Sequence, residues 1–113
     1  MIPKKRKIGA GTRVSMVMKK GREVKSRFFI VKYLPNRATV TRFAIITSTK
    51  VHKNAVERNI VRRRISEILR TSWHDTNPPC YDVVVIPSPK TVGLTYQQLQ
   101  KELLGSLYPV AYG

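Results

Sequence analysis

Arg58, Asn59, Arg62, Arg63 and Arg64 crowd into the stretch "NAVERNIVRRR" (Asn54 to Arg64), and Arg70 follows less than two helical turns later. Guanidinium groups at this density suit one chemistry above others. They make planar, paired hydrogen bonds to phosphate oxygens and stack on bases. Lys50 and Lys53 extend the charge upstream, and His52 between them is placed to touch phosphate as well. A solvated charged face ordinarily mixes signs, because like charges one turn apart repel. Here only Glu57 and Glu67 offer relief. An external polyanion would supply the rest, and the pattern points to a nucleic acid. Other chemistries find no footing. Asp75, Asp82 and Glu102 are too scattered to argue for an acid/base pair or a metal site, and His52 and His74 lack ligand spacing with Cys80.

The element that must hold these arginines is a helix. Asn54 followed by Glu57 is close to a capping box. At 100° per residue, Val61, Ile65 and Ile68 stack into a core stripe. Asn59, Arg63, Ser66 and Arg70 then lie opposite, with Arg62 beside them and Arg58 and Arg64 on the shoulders. An earlier helix is expected over Thr12 to Lys20, capped by Thr12, stopped by Gly21, with Val14, Val17 and Met18 as its apolar side. "SRFFIVKYL" (Ser26 to Leu34) and "TVTRFAIITS" (Thr39 to Ser48) read as strands around the turn at Pro35-Asn36, and the pair is expected to form a hairpin. Strand alternation would put Phe28, Ile30 and Lys32 on one face. "YDVVVIP" (Tyr81 to Pro87) has the continuous apolar run of a buried strand, which Asp82 helps to begin. "LTYQQLQKELLGSLY" closes the chain as a helix capped by Thr95, with Leu99, Leu103 and Leu107 on one stripe.

The whole fits one domain over residues 1–113, its first eleven a mobile basic arm that includes Lys4, Lys5, Arg6 and Lys7. Apolar residues make up 42% of the chain, enough for a packed core. The net charge of +16 is uneven: residues 1–70 carry 20 basic and three acidic side chains, whereas residues 71–113 are net −1. A field confined to one part of the fold is what a polyanion-binding surface requires. One cysteine, Cys80, cannot form an internal disulfide and suits a reducing, cytoplasmic setting. With no apolar run near about 18 residues and no hydrophobic region behind the basic start, neither membrane insertion nor secretion is expected.

"ERNIVRRRISE" resembles the signature of the bacterial ribonuclease P protein component, R-N-x-x-K/R-R-x-x-R-E, matched by Arg58, Asn59, Arg62, Arg63 and Glu67. "IPKKRKI" is similar to that family's start, "CYDVVVIPSP" to its last strand and "LTYQQLQKELLGSL" to its last helix. The resemblance implies an α+β fold, a single-domain α/β sandwich of order αβββαβα. It also implies a left-handed βαβ crossover, a layout shared with a ribosomal-protein domain, although handedness rules alone would favour the right hand. Two of the three early strands are legible.

The resemblance also implies a role. The family's protein is the non-catalytic subunit of a ribonucleoprotein that removes the 5′ leader of precursor tRNA. The catalytic RNA subunit carries the chemistry and holds most of the Mg2+, and no small-molecule substrate is involved. Arg58, Asn59, Arg62, Arg63, Arg64 and Arg70, with Lys50 and Lys53, would face ribonuclease P RNA. A cleft between the first helix and the sheet would take the leader, lined by Val14, Met18, Phe28, Ile30 and Lys32. Several positions depart from the pattern. Ser66 stands where the signature has an arginine and Ile60 where the family commonly has one, Val14 and Met18 replace two phenylalanines, and Lys32 replaces a tyrosine. A ribosomal or other structural RNA-binding protein would share the charge and size but not these ordered motifs. A stand-alone nuclease is opposed by the lack of clustered carboxylates or a histidine pair.

Overall fold

The computed structural model describes residues 6–8, 11–38, 40–74 and 80–112. Helix α1 (Gly11–Lys20) is followed by strands β1 (Arg22–Lys25), β2 (Phe29–Pro35) and β3 (Arg42–Ile45). Helix α2 (Ala55–Ser72), strand β4 (Tyr81–Pro87) and helix α3 (Tyr96–Tyr112) complete the order αβββαβα. No helix among the described residues is long and apolar enough to cross a membrane.

The sheet runs β1-β2-β4-β3, with β3 and β4 parallel and the other pairs antiparallel. Side chains alternate between two covered faces. Phe29, Val31 and Tyr33 of β2, Phe43 of β3, and Val83 and Val85 of β4 meet α2 and α3, which contribute Val61, Ile65, Ile68, Leu69, Leu99, Leu103 and Leu107. On the other face α1 packs on β2 and β4, burying Val17 and Val84. This explains the unbroken apolar run of β4: a central strand covered on both faces has no side on which water is met.

Two expectations are corrected by this topology. The strands on either side of Pro35-Asn36 do not form a hairpin, because β4 lies between β2 and β3. Asn36 does turn the chain, its side chain accepting from the Ala38 N–H at 3.0 Å. The chain then passes the end of β4, leaving the backbone of that apolar strand paired on both sides. The hairpin that does form joins β1 to β2, closed by Ser26 N–H donating to Phe29 O at 2.8 Å. Its first strand, "REVK", has one apolar residue and so no readable period. The helix expected to start with Thr12 as its cap instead takes in Gly11 and Thr12 as helical residues.

Gly21 ends α1 where two backbones nearly touch. A Cβ there would collide with the Val17 carbonyl oxygen and stand 3.0 Å from that of Tyr33. Neither carbonyl can retreat easily, since each belongs to a regular element. Gly21→Ala is therefore expected to destabilise the fold by about 1 to 3 kcal/mol, the cost of overpacking a tight contact. Chemical denaturation would measure it, and an unchanged midpoint would show that α1 can shift off the sheet.

Candidate nucleic-acid interface

The arginine helix is fastened at its start by its neighbours. Asn54 caps α2 by accepting from Val56 N–H at 2.8 Å. The reciprocal half of the expected capping box is not made by Glu57. Instead the Asn54 N–H donates to His52 Nδ1 at 2.9 Å, which satisfies it locally. Arg58 bonds the carbonyls of His52 (2.9 Å) and Lys53 (3.1 Å), so it steadies the entry loop. Val61, Ile65, Ile68 and Leu69 are buried, and this stripe fixes the rotation of the helix.

That rotation turns Asn59, Arg62, Arg63 and Arg70 to solvent. They do not stand alike. Arg62 donates to Asn59 Oδ1 at 3.1 Å, and Arg70 pairs with Glu67. The Arg70 guanidinium beside Glu67 holds that carboxyl below the usual carboxylate range. Arg64 is half-buried and donates to the Leu94 carbonyl at 2.8 Å, tying α2 to the approach to α3. Arg63 makes no hydrogen bond or ion pair among the described residues, and the same holds for the ammonium groups of Lys50 and Lys53, both exposed. Ile60 and Ser66 are both half-buried, Ile60 beside Arg64 and Leu94.

A groove of about 620 Å3 separates this face from the β3 edge, lined by Lys7, Ile8, Phe43, Asn59, Arg62, Arg63 and Ser66 among others. Lys7 and Ile8 were expected in a mobile arm. They lie along β3 instead, with Ile8 N–H donating to Phe43 O at 3.1 Å. Arg6 donates to Thr41 O at 3.3 Å. The open edge of β3 offers unpaired backbone groups, and the Lys7-Ile8 segment answers them. Lys4 and Lys5 lie outside the described residues.

On the opposite face of the sheet, Val14 and Met18 of α1 and Ile30 and Lys32 of β2 are all half-buried. Lys32 donates to the Met18 carbonyl at 3.0 Å, joining strand to helix where the helix dipole is negative. Phe28 does not join them. The hairpin turn interrupts the alternation before β2 begins, and Phe28 packs against the core on the α2/α3 side, with the Arg27 guanidinium 5.6 Å over its ring.

Sequence reasoning did not find what positions α1. Asp82 is fully buried and accepts from Arg13 Nε (2.6 Å), Arg42 Nε and Nη2 (both 2.8 Å) and Asn36 Nδ2 (2.8 Å). Arg13 also donates to Pro35 O at 2.9 Å. One carboxylate thus joins α1, β3, β4 and the turn after β2. The available signal was chemical: a lone acid inside an apolar strand must be paired if it is buried. Among the described residues, no three His, Cys, Asp or Glu side chains gather as a cation site would need.

A helix-flanked sheet that holds an array of guanidinium groups over a groove defines a small, basic α+β protein of the polyanion-binding class. A family model described as ribonuclease P matches residues 2–110. The chain belongs to the ribonuclease P protein family. It is 36% identical over 91 residues to the ribonuclease P protein component of Finegoldia magna, covering 80% of this chain and 77% of that protein. It is 38% identical over 97 residues to that of Thermus scotoductus, covering 86% of this chain and 56% of that one. Among solved structures, the ribonuclease P protein of Staphylococcus aureus superposes with a TM-score of 0.81 at 28% identity, covering 94% of this chain and 97% of that one. The Thermotoga maritima protein gives a TM-score of 0.81 at 23% identity over 92% of this chain and 96% of that one, a likeness of fold.

Proposed function

We propose that this chain is the protein subunit of ribonuclease P, acting in the cytoplasm on precursor tRNA beside a catalytic RNA. The observation that carries the reading is the α2 face. Asn59, Arg62 and Arg63, all within the family signature, border one groove, and Arg63 has no partner among the described residues. Arginine forks there would grip the phosphates of the RNA subunit, while Lys50 and Lys53 add charge at the helix start. Arg58, Arg64 and Arg70 keep spare donors for phosphate, yet each also secures the helix or its surroundings.

The precursor's single-stranded leader would run between α1 and β2, along Val14, Met18, Ile30 and Lys32. With Val14 and Met18 in place of rings, this wall forgoes base stacking, which is worth about 1 to 3 kcal/mol per base. Contacts with the leader then rest on apolar surface and the nearby positive field. Phe28, turned to the core, is not counted in that wall. Magnesium is assigned to the RNA subunit, as the family resemblance implies.

The chain alone is expected to leave precursor tRNA intact at any magnesium concentration. Added to ribonuclease P RNA at low magnesium, it is expected to restore cleavage at the mature 5′ end. Site-specific cleavage by RNA-free protein would sink this reading. So would selective retention of ribosomal RNA over ribonuclease P RNA in a pull-down.

A further inference from the structure

The sheet edge far from α2 carries a second group of cations. Lys19 and Lys20 end α1, Arg22 and Lys25 lie on β1, and Arg27 sits in the hairpin turn; all five are exposed. Glu23 is the one acid among them. None of the five side chains has a hydrogen bond or ion pair among the described residues, and only Arg27 has another partner, the Phe28 ring. Unrelieved repulsion along a short edge strand calls for an anion, by the same reasoning that applies to α2.

Beside this edge lies a pocket of about 360 Å3, within the range of small-ligand sites. Half-buried Tyr81 forms its aromatic wall with the rim of Tyr33, a core residue, the two rings edge to face with centroids 5.3 Å apart. Pro35 and Pro109 flank them, and Lys20 and Arg22 stand at the charged side. Strand register makes the arrangement: Arg22 pairs with Tyr33, and Pro35 with Tyr81. Aromatic surface next to two unpaired cations matches the two halves of a nucleotide, a flat base and an anionic phosphate.

We propose that the Tyr33/Tyr81 pocket and the β1 edge form a further RNA contact, in which an unpaired nucleotide sets its base against Tyr81 and its phosphate between Lys20 and Arg22. The proposal rests on the RNA-binding reading above and extends it. β1 and β3 are opposite edges of the sheet, so this contact and the α2 groove address different RNA segments. The protein is then held between two pieces of RNA.

The test uses the full chain with ribonuclease P RNA and precursor tRNA, each carrying 4-thiouridine in turn. After irradiation, crosslinked peptides are mapped by mass spectrometry. Crosslinks at Tyr33 or Tyr81 are expected with one of the two RNAs. For that RNA, the Lys20→Ala, Arg22→Ala double variant should bind about tenfold more weakly, and its log–log salt slope should fall by roughly 1.4 to 1.8. Both side chains are exposed, so its melting temperature should match that of the parent. A Lys90→Ala, Lys101→Ala control should change neither affinity nor slope. Crosslinks confined to α2 and the α1/β2 leader wall, with parental affinity and slope in the double variant, would overturn the proposal. If the unaltered chain bound neither RNA, the RNA-binding reading itself would fall.

Discussion

Replacing Asp82 with Ala is expected to destabilise the fold by about 3 kcal/mol, the lower end of the range for breaking a buried ion pair. The lower end applies because the Arg13 and Arg42 side chains keep 26% and 31% of their exposure and can turn partly to water. The loss remains large because the carboxylate is fully buried and satisfies donors from three other elements. Without it, two guanidinium groups face each other across an emptied site. Burial alone would raise the Asp82 carboxyl, but hydrogen bonds from Arg42, Arg13 and Asn36 outweigh it and hold the group below its ordinary range. The folded state therefore binds this proton less readily than the unfolded chain. Its stabilising contribution is complete above the unfolded value, about pH 4, and drains away as pH falls through the lower folded value. Urea titrations at pH 7, 4 and 3 would show both effects: a lower midpoint for the variant at pH 7, and a shallower further loss on acidification. Parallel acid losses in the two proteins would refute the role given to Asp82. Arg13 is α1's ion-paired anchor on the sheet, so any leader contact along α1 should suffer before the α2 face does.

How much of this was legible in the sequence depended on how far each signal was local. The α2 stripe announced itself because Val61, Ile65 and Ile68 recur at helical spacing among charges, and burial added only Leu69. β4 was legible because its apolar run is unbroken, and α3 because Thr95 and Gln98 cap reciprocally before a leucine stripe. What failed was non-local. The order β1-β2-β4-β3 depends on which strand edges compete for β4, and nothing within residues 26–48 encodes that competition. Phe28 was misplaced because alternation was extended through a turn. The Asp82 cluster joins residues 13, 36, 42 and 82, whose types were visible and whose convergence was not. The α2 face could be drawn from the sequence, but the division between Arg63, open to solvent, and Arg64, bonded to Leu94 O, could not.

That division sets the second large effect, because neighbouring positions on α2 should fail in different ways. Val61 is 3% exposed and packs in the main core. Val61→Asp puts an unpaired charge there, and the expected cost exceeds about 4 kcal/mol, a large share of a small domain's stability. RNA binding should vanish with the fold. Arg63→Ala should do the converse. Its guanidinium has no partner to lose within the described chain, so the melting temperature should hold. Loss of a charge-assisted contact should weaken binding to ribonuclease P RNA by about 1.5 to 3 kcal/mol. Arg64→Ala belongs between them, giving up the 2.8 Å bond to Leu94 O and so some stability along with affinity. Thermal melts and RNA titrations on the three variants separate the outcomes. If Arg63→Ala melted early yet bound RNA normally while folded, Arg63 would be a structural residue and the groove would lose its principal free cation among the described residues.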